Sequence, residues 1–251
     1  MSTRAAQSLL LIGGTSEIGL SIVRRLARDA PVRPYLLGRD AAALERARAG
    51  LGGEAAGVDV DLLDARALDT HAETIGRAFE RRGGFDVVVL AVGVLGAQRG
   101  LDADAGEALE VMEVNFVGCG SLLLEAMRRL RAQGRPGTMV VLSSVAAERP
   151  RAGNAIYGAA KNGLDALAQG LADATAASGP RVLVVRPGFV KTRMTEGLPS
   201  APFATTPEAV AEATVRALGS RRGTVWVPSG LRVIFALLRH LPRPLYRRLP
   251  L

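Results

Sequence analysis

Tyr157 and Lys161 stand four positions apart in a chain with only three tyrosines and two lysines, the other lysine being Lys191. On a helix, positions i and i+4 lie one above the other on the same face. An ammonium one turn from a phenol favours the phenolate, so the phenol can hand its proton to a nearby oxygen. That pairing suits carbonyl reduction: the phenol protonates oxygen while hydride reaches carbon, and the same group serves as base in alcohol oxidation. Ser144 lies thirteen residues before Tyr157, at the end of a strand pattern, and offers a hydroxyl to the same oxygen. Its neighbour Ser143 reads as a plain strand-end residue. Asn115 falls inside a helical pattern, where asparagine is intrinsically a poor choice. Flanked by Val114 and Phe116, it reads equally as a buried hydrogen-bonding group and as a local kink bonded to backbone.

Strand and helix signals alternate around these residues. Strands are expected at Ser8 to Ile12, Val32 to Leu37, Gly57 to Val60, Asp86 to Ala91, Thr138 to Leu142, Arg181 to Val185 and Thr224 to Val227. Helical periodicity covers Ile18 to Arg28, Ala41 to Ala49, Ala65 to Arg81, Ala105 to Arg131, Ile156 to Thr175 and Pro207 to Leu218. Pro207 suits the first turn of its helix. The uninterrupted Val87-Val88-Val89-Leu90 run reads as a strand buried on both faces. Such alternation implies an α/β fold, a Rossmann-type doubly wound parallel sheet with helices on both faces. No linker or internal repeat divides the 251 residues. The expectation is one domain over 1–230 and a basic amphipathic extension over 231–251.

Between the first strand and first helix lies Gly13-Gly14-Thr15-Ser16-Glu17-Ile18-Gly19. Small residues there let backbone approach a pyrophosphate, and the helix N-terminus supplies free N–H groups and positive dipole. The second strand ends at Gly38, Arg39 and Asp40. An acidic residue at this point grips the adenosine ribose hydroxyls, whereas an arginine can pair with a 2′-phosphate. Arg39 therefore leans the reading toward NADPH. Two alternatives stay open: Arg39 as a solvated loop charge, and Asp40 turned inward to serve NADH.

Composition narrows the classes. Residues are 48% hydrophobic and 22% charged, enough for a buried core. The formal charge is +8, and the eight arginines after Glu212 account for all of it. A balanced body with a basic end argues against nucleic-acid binding and for a local anionic or interfacial contact. No apolar run is long enough for a transmembrane helix, and the N-terminus lacks a secretory signal pattern. Cys119 is the only cysteine, which fits a reducing compartment such as the cytoplasm. His71 and His240 have no ligand spacing, so no metal site is expected.

With these pieces in place, the chain resembles the short-chain dehydrogenase/reductase family. The resemblance rests on the Gly13 to Gly19 turn, Asp61 after the third strand, Asn115, Ser144, the Tyr157/Lys161 pair, and Pro187-Gly188-Phe189-Val190-Lys191-Thr192. It implies a catalytic tetrad of Asn115, Ser144, Tyr157 and Lys161, with Asn115 holding a relay water. It also implies an NAD(P)H site. Gly13, Thr15, Ser16, Ile18, Gly19 and Gly93 would lie along the dinucleotide, Asp61 at the adenine amino group, and Tyr157 and Lys161 at the nicotinamide ribose. Pro187, Gly188, Val190 and Thr192 would hold the carboxamide. Dimers or tetramers are usual in the family. Two departures stand out: Glu17 replaces the middle glycine of the turn, so its carboxylate must point away from phosphate, and Leu90-Ala91-Val92-Gly93 replaces the usual Asn-Asn-Ala-Gly.

The segment Leu231 to Leu241, placed on a helix, has a narrow polar stripe of Arg232, Arg239 and His240. Its eleven residues span only ~16 Å, too short to cross a bilayer. Two readings are open: contact with an anionic membrane surface, and a packed C-terminal helix or subunit interface. This tail, with the Gly13 to Leu20 segment and Arg186 to Met194, is similar to one group in the family, the actinobacterial reductases of a polyprenyl-phosphate-linked 2-keto-pentofuranose. That similarity implies a lipid-linked keto-sugar substrate in cell-wall arabinan synthesis, a flavin-dependent oxidase partner subunit, and a place at the inner face of the cell membrane. Arg151, Arg193 and Met194 to Phe203 are lid candidates. The competing expectations are a reductase of another hydrophobic ketone and a non-catalytic cofactor-binding scaffold.

Overall fold

A computed structural model describes residues 6–52, 57–96, 98–199 and 201–248; the expected tail residues 249–251 lie outside them. Among the described residues seven strands form one parallel sheet: β1 (Gln7–Ile12), β2 (Val32–Gly38), β3 (Asp59–Leu62), β4 (Val87–Leu90), β5 (Thr138–Leu142), β6 (Arg181–Pro187) and β7 (Thr224–Val227). Their order is β3-β2-β1-β4-β5-β6-β7. The order reverses between β1 and β4, which opens the ligand crevice at the carboxyl ends of those two strands.

The helices are α1 (Glu17–Ala27), α2 (Ala41–Leu51), α3 (His71–Arg82), α4 (Ala105–Met112), α5 (Cys119–Ala132), α6 (Ala155–Thr175), α7 (Pro207–Leu218), α8 (Leu231–His240) and α9 (Arg243–Tyr246). Successive strand residues face opposite sides, and the two sides carry separate cores. Leu10, Ile12, Val88 and Val141 pack under α3, α5 and α6 through Phe79, Leu122 and Leu164. Leu9, Leu11, Val89 and Val140 pack under α1, α2 and α7 through Ile22, Leu44 and Val210. Each fully buried Leu or Val stabilises this sandwich by about 1.5–3 kcal/mol, far above any surface ion pair.

Most boundaries fall within two residues of the expected ones, and three differences have a local cause. β3 starts at Asp59 because Gly57 turns the chain with φ 63°. The helix expected from Ala65 begins at His71, because the Asp64 carboxylate takes the Arg66 N–H at 2.9 Å and closes a turn. The long middle helix is interrupted by a π-helical stretch, Glu113–Gly118, where the Cys119 N–H reaches the Val114 carbonyl. Among the described residues no helix is long and apolar enough to cross a membrane.

The C-terminal helices are packed on the body. α8 turns Leu231, Ile234, Phe235 and Leu238 inward and leaves Val233 and Leu237 63% and 70% exposed. Phe235 lies against Trp226 of β7, ring centroids 6.1 Å apart. The packed-helix expectation therefore holds for one side of α8, while its other side carries apolar residues in solvent.

Candidate active site

The β1–α1 turn is built for close backbone approach. Gly13 has φ 95°, and a Cβ there would stand 2.8 Å from the Ala91 carbonyl carbon and oxygen. Only a residue without a side chain lets the turn lie this close to the end of β4. Ser16 caps α1, accepting the Gly19 N–H at 3.2 Å, and Thr15, Ser16 and Ile18 line the turn half-buried. A Cβ at Gly19 would strike Leu11 Cδ1 at 2.6 Å, so this glycine lets α1 sit on the sheet. These features fit a dinucleotide pyrophosphate at a helix N-terminus.

Glu17, where a glycine is usual, turns outward as its chemistry requires. Its Oε2 accepts the Arg193 backbone N–H at 2.8 Å, and the Arg193 guanidinium also donates to the Thr15 carbonyl at 3.1 Å. The carboxylate thereby ties the phosphate turn to the loop after β6. That loop is set by Gly188 N–H donating to the Val227 carbonyl at 2.8 Å. Val190 is buried beside Thr205 in an isolated parallel bridge. The Thr195 hydroxyl donates to the Val190 carbonyl at 2.7 Å and accepts the Thr192 N–H at 3.1 Å. Pro187 closes β6 opposite Val227, so Pro187, Gly188, Val190 and Thr192 all lie on one side of the crevice.

At the adenosine end, β2 delivers Arg39 to solvent. Asp40 is engaged locally, accepting the Ala43 N–H at 2.9 Å as the cap of α2. Asp61 faces Leu37 across the β2–β3 pair and already holds its own neighbour, Leu62 N–H, at 2.8 Å and Arg77 at 3.3 Å.

Asn115 and Lys161 meet at Gly93 in the loop after β4, Tyr157 lines a cleft bordered by the same loop, and Ser144 follows the neighbouring strand β5. Asn115 is fully buried in the π-helical stretch; its amide donates to the Val94 carbonyl at 2.7 Å and accepts the Val94 N–H at 3.0 Å. The kink and the buried hydrogen-bonding role are thus one feature: the widened turn lets the side chain leave the helix and grip the loop. Lys161, 4% exposed, sends Nζ to the Leu142 carbonyl at 3.2 Å and the Val92 carbonyl at 3.4 Å. A Cβ at Gly93 would lie 2.9 Å from Asn115 Oδ1 and 3.2 Å from Lys161 Nζ. Gly93 therefore holds open the space the two groups share. Tyr157 lines an adjoining cleft with Leu95, Gly96, Val111, Asn154 and Ile156. Ser144, half-buried, follows β5 and accepts the Ala146 N–H at 3.1 Å.

Ser143 has a larger role than a plain strand end. Its hydroxyl donates to Asp165 Oδ2 at 2.5 Å, and Asp165 also takes Arg186 Nε at 2.9 Å and Arg186 Nη2 at 2.6 Å. Arg186 pairs in turn with Glu148. Burial opposes the Arg186 charge, but Asp165 and Glu148 together hold its pKa above the usual arginine value. The sequence reading passed over this set. Its signal was legible: Tyr157, Lys161 and Asp165 recur every four residues on one helix face, and Arg186 interrupts an apolar strand.

The family profile for short chain dehydrogenases matches residues 7–202. The chain belongs to the short chain dehydrogenases. It is 41% identical over 251 residues, all of both chains, to an uncharacterized oxidoreductase of Mycobacterium tuberculosis. It is 33% identical to 1-deoxy-11-beta-hydroxypentalenate dehydrogenase of Streptomyces exfoliatus, covering 93% of this chain and 86% of that one. Among solved structures, an alcohol dehydrogenase of the archaeon Thermococcus sibiricus, complexed with 5-hydroxy-NADP, superposes with a TM-score of 0.77 at 26% identity, covering 88% of this chain and 95% of that one. This short chain dehydrogenase is an NAD(P)-dependent oxidoreductase.

When bound, the nicotinamide supplies or accepts hydride. The enzyme's own residues do the rest. In the roles the resemblance implies, Tyr157 would give the proton to the carbonyl oxygen and the Ser144 hydroxyl would donate a hydrogen bond to it. Lys161 lies one turn further along α6, its ammonium held by the ends of β4 and β5. Asn115 fixes the loop that borders both.

Cys119 takes no part in this chemistry. It is buried under the site, and burial pushes its pKa up to about 11, with Lys161 nearby pulling weakly the other way. The thiolate is the nucleophile, so Cys119 is expected to resist iodoacetamide in the folded enzyme at pH 8 and to react once guanidinium unfolds it. Mass spectrometry of the alkylated protein checks this; rapid labelling of the native chain contradicts the burial.

Proposed function

We propose that this enzyme uses NADPH to reduce the 2-keto group of a polyprenyl-phosphate-linked keto-pentofuranose, giving the arabinose form for cell-wall arabinan synthesis. A flavin-dependent oxidase partner supplies the ketone. Carbon 2 receives hydride, its oxygen receives the Tyr157 proton, and solvent restores that proton through the site. The observation that carries the reading is α8, which presents exposed Val233 and Leu237 beside Arg232, with Arg243 exposed at the start of α9. A lipid-linked phosphate needs an apolar path for its tail and cations for its head, and this helix offers both. The same surface suits peripheral contact with the anionic inner face of the cell membrane. A homo-oligomer accords with family habit.

The test is NADPH consumption with the oxidised lipid sugar against a panel of small, steroid-like and acyl-carrier ketones. Turnover confined to the lipid sugar, with the lipid-linked arabinose as product, is expected. Equal rates across the panel would remove the proposal and favour another hydrophobic ketone, the reading that the similarity to a hydroxypentalenate dehydrogenase supports. For the membrane contact, Val233→Glu with Leu237→Glu leaves the packed side of α8 intact. It is expected to reduce sedimentation with anionic vesicles at least about tenfold, since about 0.8 kcal/mol attends each buried CH₂.

The NADPH preference rests on Arg39, exposed where a 2′-phosphate would lie, while Asp40 is occupied in capping α2. A charge-assisted pair contributes about 1.5–3 kcal/mol. Arg39→Ala is therefore expected to raise the NADPH Kd by roughly 10–150-fold and leave the NADH Kd within about twofold. Cofactor fluorescence titration reads both values; equal weakening of the two cofactors would refute the assignment.

A further inference from the structure

Glu148 lies four residues after Ser144, beyond a short helical turn, Val145–Ala147. Its side chain is only 5% exposed, and its carboxylate is shared by two arginines. Arg186 of β6 holds one oxygen; Arg239 of α8 holds the other. Below it, Arg186 is bonded to Asp165, and Asp165 to Ser143. The set holds two carboxylates and two guanidiniums, so it is neutral only with Arg239 included. Burying a carboxylate without a matched cation is strongly unfavourable. The helix is seated on this loop by further contacts. Arg149 donates to the carbonyls of Leu238 and Arg239, its guanidinium stands 4.1 Å over the Tyr246 ring, and the Tyr246 hydroxyl donates back to the Arg149 carbonyl at 3.3 Å. The same loop meets the catalytic helix, since Asn162 donates to the Ala147 carbonyl at 2.6 Å and Gly158 would clash with Pro150 if it carried a Cβ.

We propose that Glu148, clamped by Arg186 from β6 and by Arg239 from α8, is a positioning residue that makes the conformation of the Ser144 loop depend on the seating of the C-terminal helix. Ser144 touches substrate; Glu148 and Arg239 act through it. The C-terminal helices then contribute to the chemical step as well as to any lipid contact. The inference draws on the family chemistry and is independent of which ketone is reduced.

The test uses the full chain with Arg239→Ala, Arg239→Lys and Glu148→Gln. The amides of Ala146, Ala147 and Glu148 are bonded within the turn, to the Ser144 hydroxyl, the Ser144 carbonyl and the Val145 carbonyl. Hydrogen exchange at these three amides should rise at least about tenfold in Arg239→Ala and in Glu148→Gln, with the amides of β4 unchanged. Arg239→Lys, which keeps the charge, should restore most of the protection. Unchanged exchange at residues 146–148 overturns the proposal. So does loss of protection that spreads to β4, which would mark a plain stability role. NADPH consumption with whichever ketone of the panel above the wild-type enzyme turns over gives an independent reading. Arg239→Ala should lower kcat about tenfold with the NADPH Kd within about twofold, and should have no further effect in a Ser144→Ala background. An equal factor in both backgrounds means that Arg239 does not act through Ser144. A failure of the lipid-sugar assay leaves every one of these outcomes readable.

Discussion

Replacing Tyr157 with Phe is expected to lower kcat by about 10²–10⁴-fold, the range for loss of one positioned acid–base group, while NADPH still binds within about threefold of its wild-type Kd. The substitution removes one oxygen from a half-buried side chain at the rim of a cleft. The ring and its contacts with the cleft wall stay. Nothing in the sheet or either core depends on the hydroxyl, so the melting temperature should move by no more than about 2 °C. The measurement is single-turnover oxidation of NADPH, with cofactor binding followed separately by fluorescence. A variant that retains more than about a tenth of the wild-type rate would assign the proton transfer to another group. The scaffold alternative makes the opposite forecast, because a scaffold gains nothing from this hydroxyl.

Lys161→Met should lose comparable activity and, unlike the tyrosine variant, lose stability and cofactor affinity with it. Lys161 is almost fully buried, and its ammonium bonds the Leu142 and Val92 carbonyls, which end β5 and follow β4. Methionine fills much of the same volume but leaves the Leu142 carbonyl without that donor, while the Val92 carbonyl keeps the Cys119 thiol at 3.6 Å. Each buried unsatisfied polar group costs about 1–3 kcal/mol, and about 2–4 °C of melting temperature attends each kcal/mol in a domain of this size. A fall of roughly 2–12 °C is therefore expected, partly relieved because burial no longer opposes a charge at that position. By the family resemblance Lys161 also meets the nicotinamide ribose, so the NADPH Kd should rise by about tenfold or more. Calorimetry and fluorescence titration check the two effects separately. An unaltered melting temperature would mean that the strand-end carbonyls find other donors; an unaltered Kd would detach Lys161 from the cofactor.

The contrast between these two variants follows from where the side chains end. Tyr157 lines the cleft, so its hydroxyl can be removed without disturbing the sheet. Lys161 ends between two strand termini, so replacing its ammonium disturbs the sheet ends as well as the expected cofactor contact.

Much of this architecture was legible along the chain. Strands and helices announce themselves through local periods, and β5, α7 and β7 fall where hydrophobic pattern and Pro207 place them. The Tyr157/Lys161 pair is equally local, one helical turn in a chain poor in both residue types. The same holds for the glycine turn, because a strand that must reverse into a helix beside a pyrophosphate tolerates few residue types. The outward direction of Glu17 also followed from its charge. The late start of α3 was not foreseen, because one Asp64 hydrogen bond outweighed the helical pattern.

The tertiary structure decided what lies far apart in the chain. Glu17 meets Arg193 across 176 residues, and Arg239 meets Glu148 across 91. Neither partnership leaves a periodic trace, because each arises only when β6 is laid beside β5 and the chain beyond β7 folds back over them. Residue type says only that a carboxylate needs a cation once it is buried; the packed sheet determined that Asp165 and Glu148 are buried and that Arg186 and Arg239 supply the cations. The tail shows the same division. Its composition foretold an amphipathic helix, while the shape of the body selected which apolar residues it keeps and which it leaves in water.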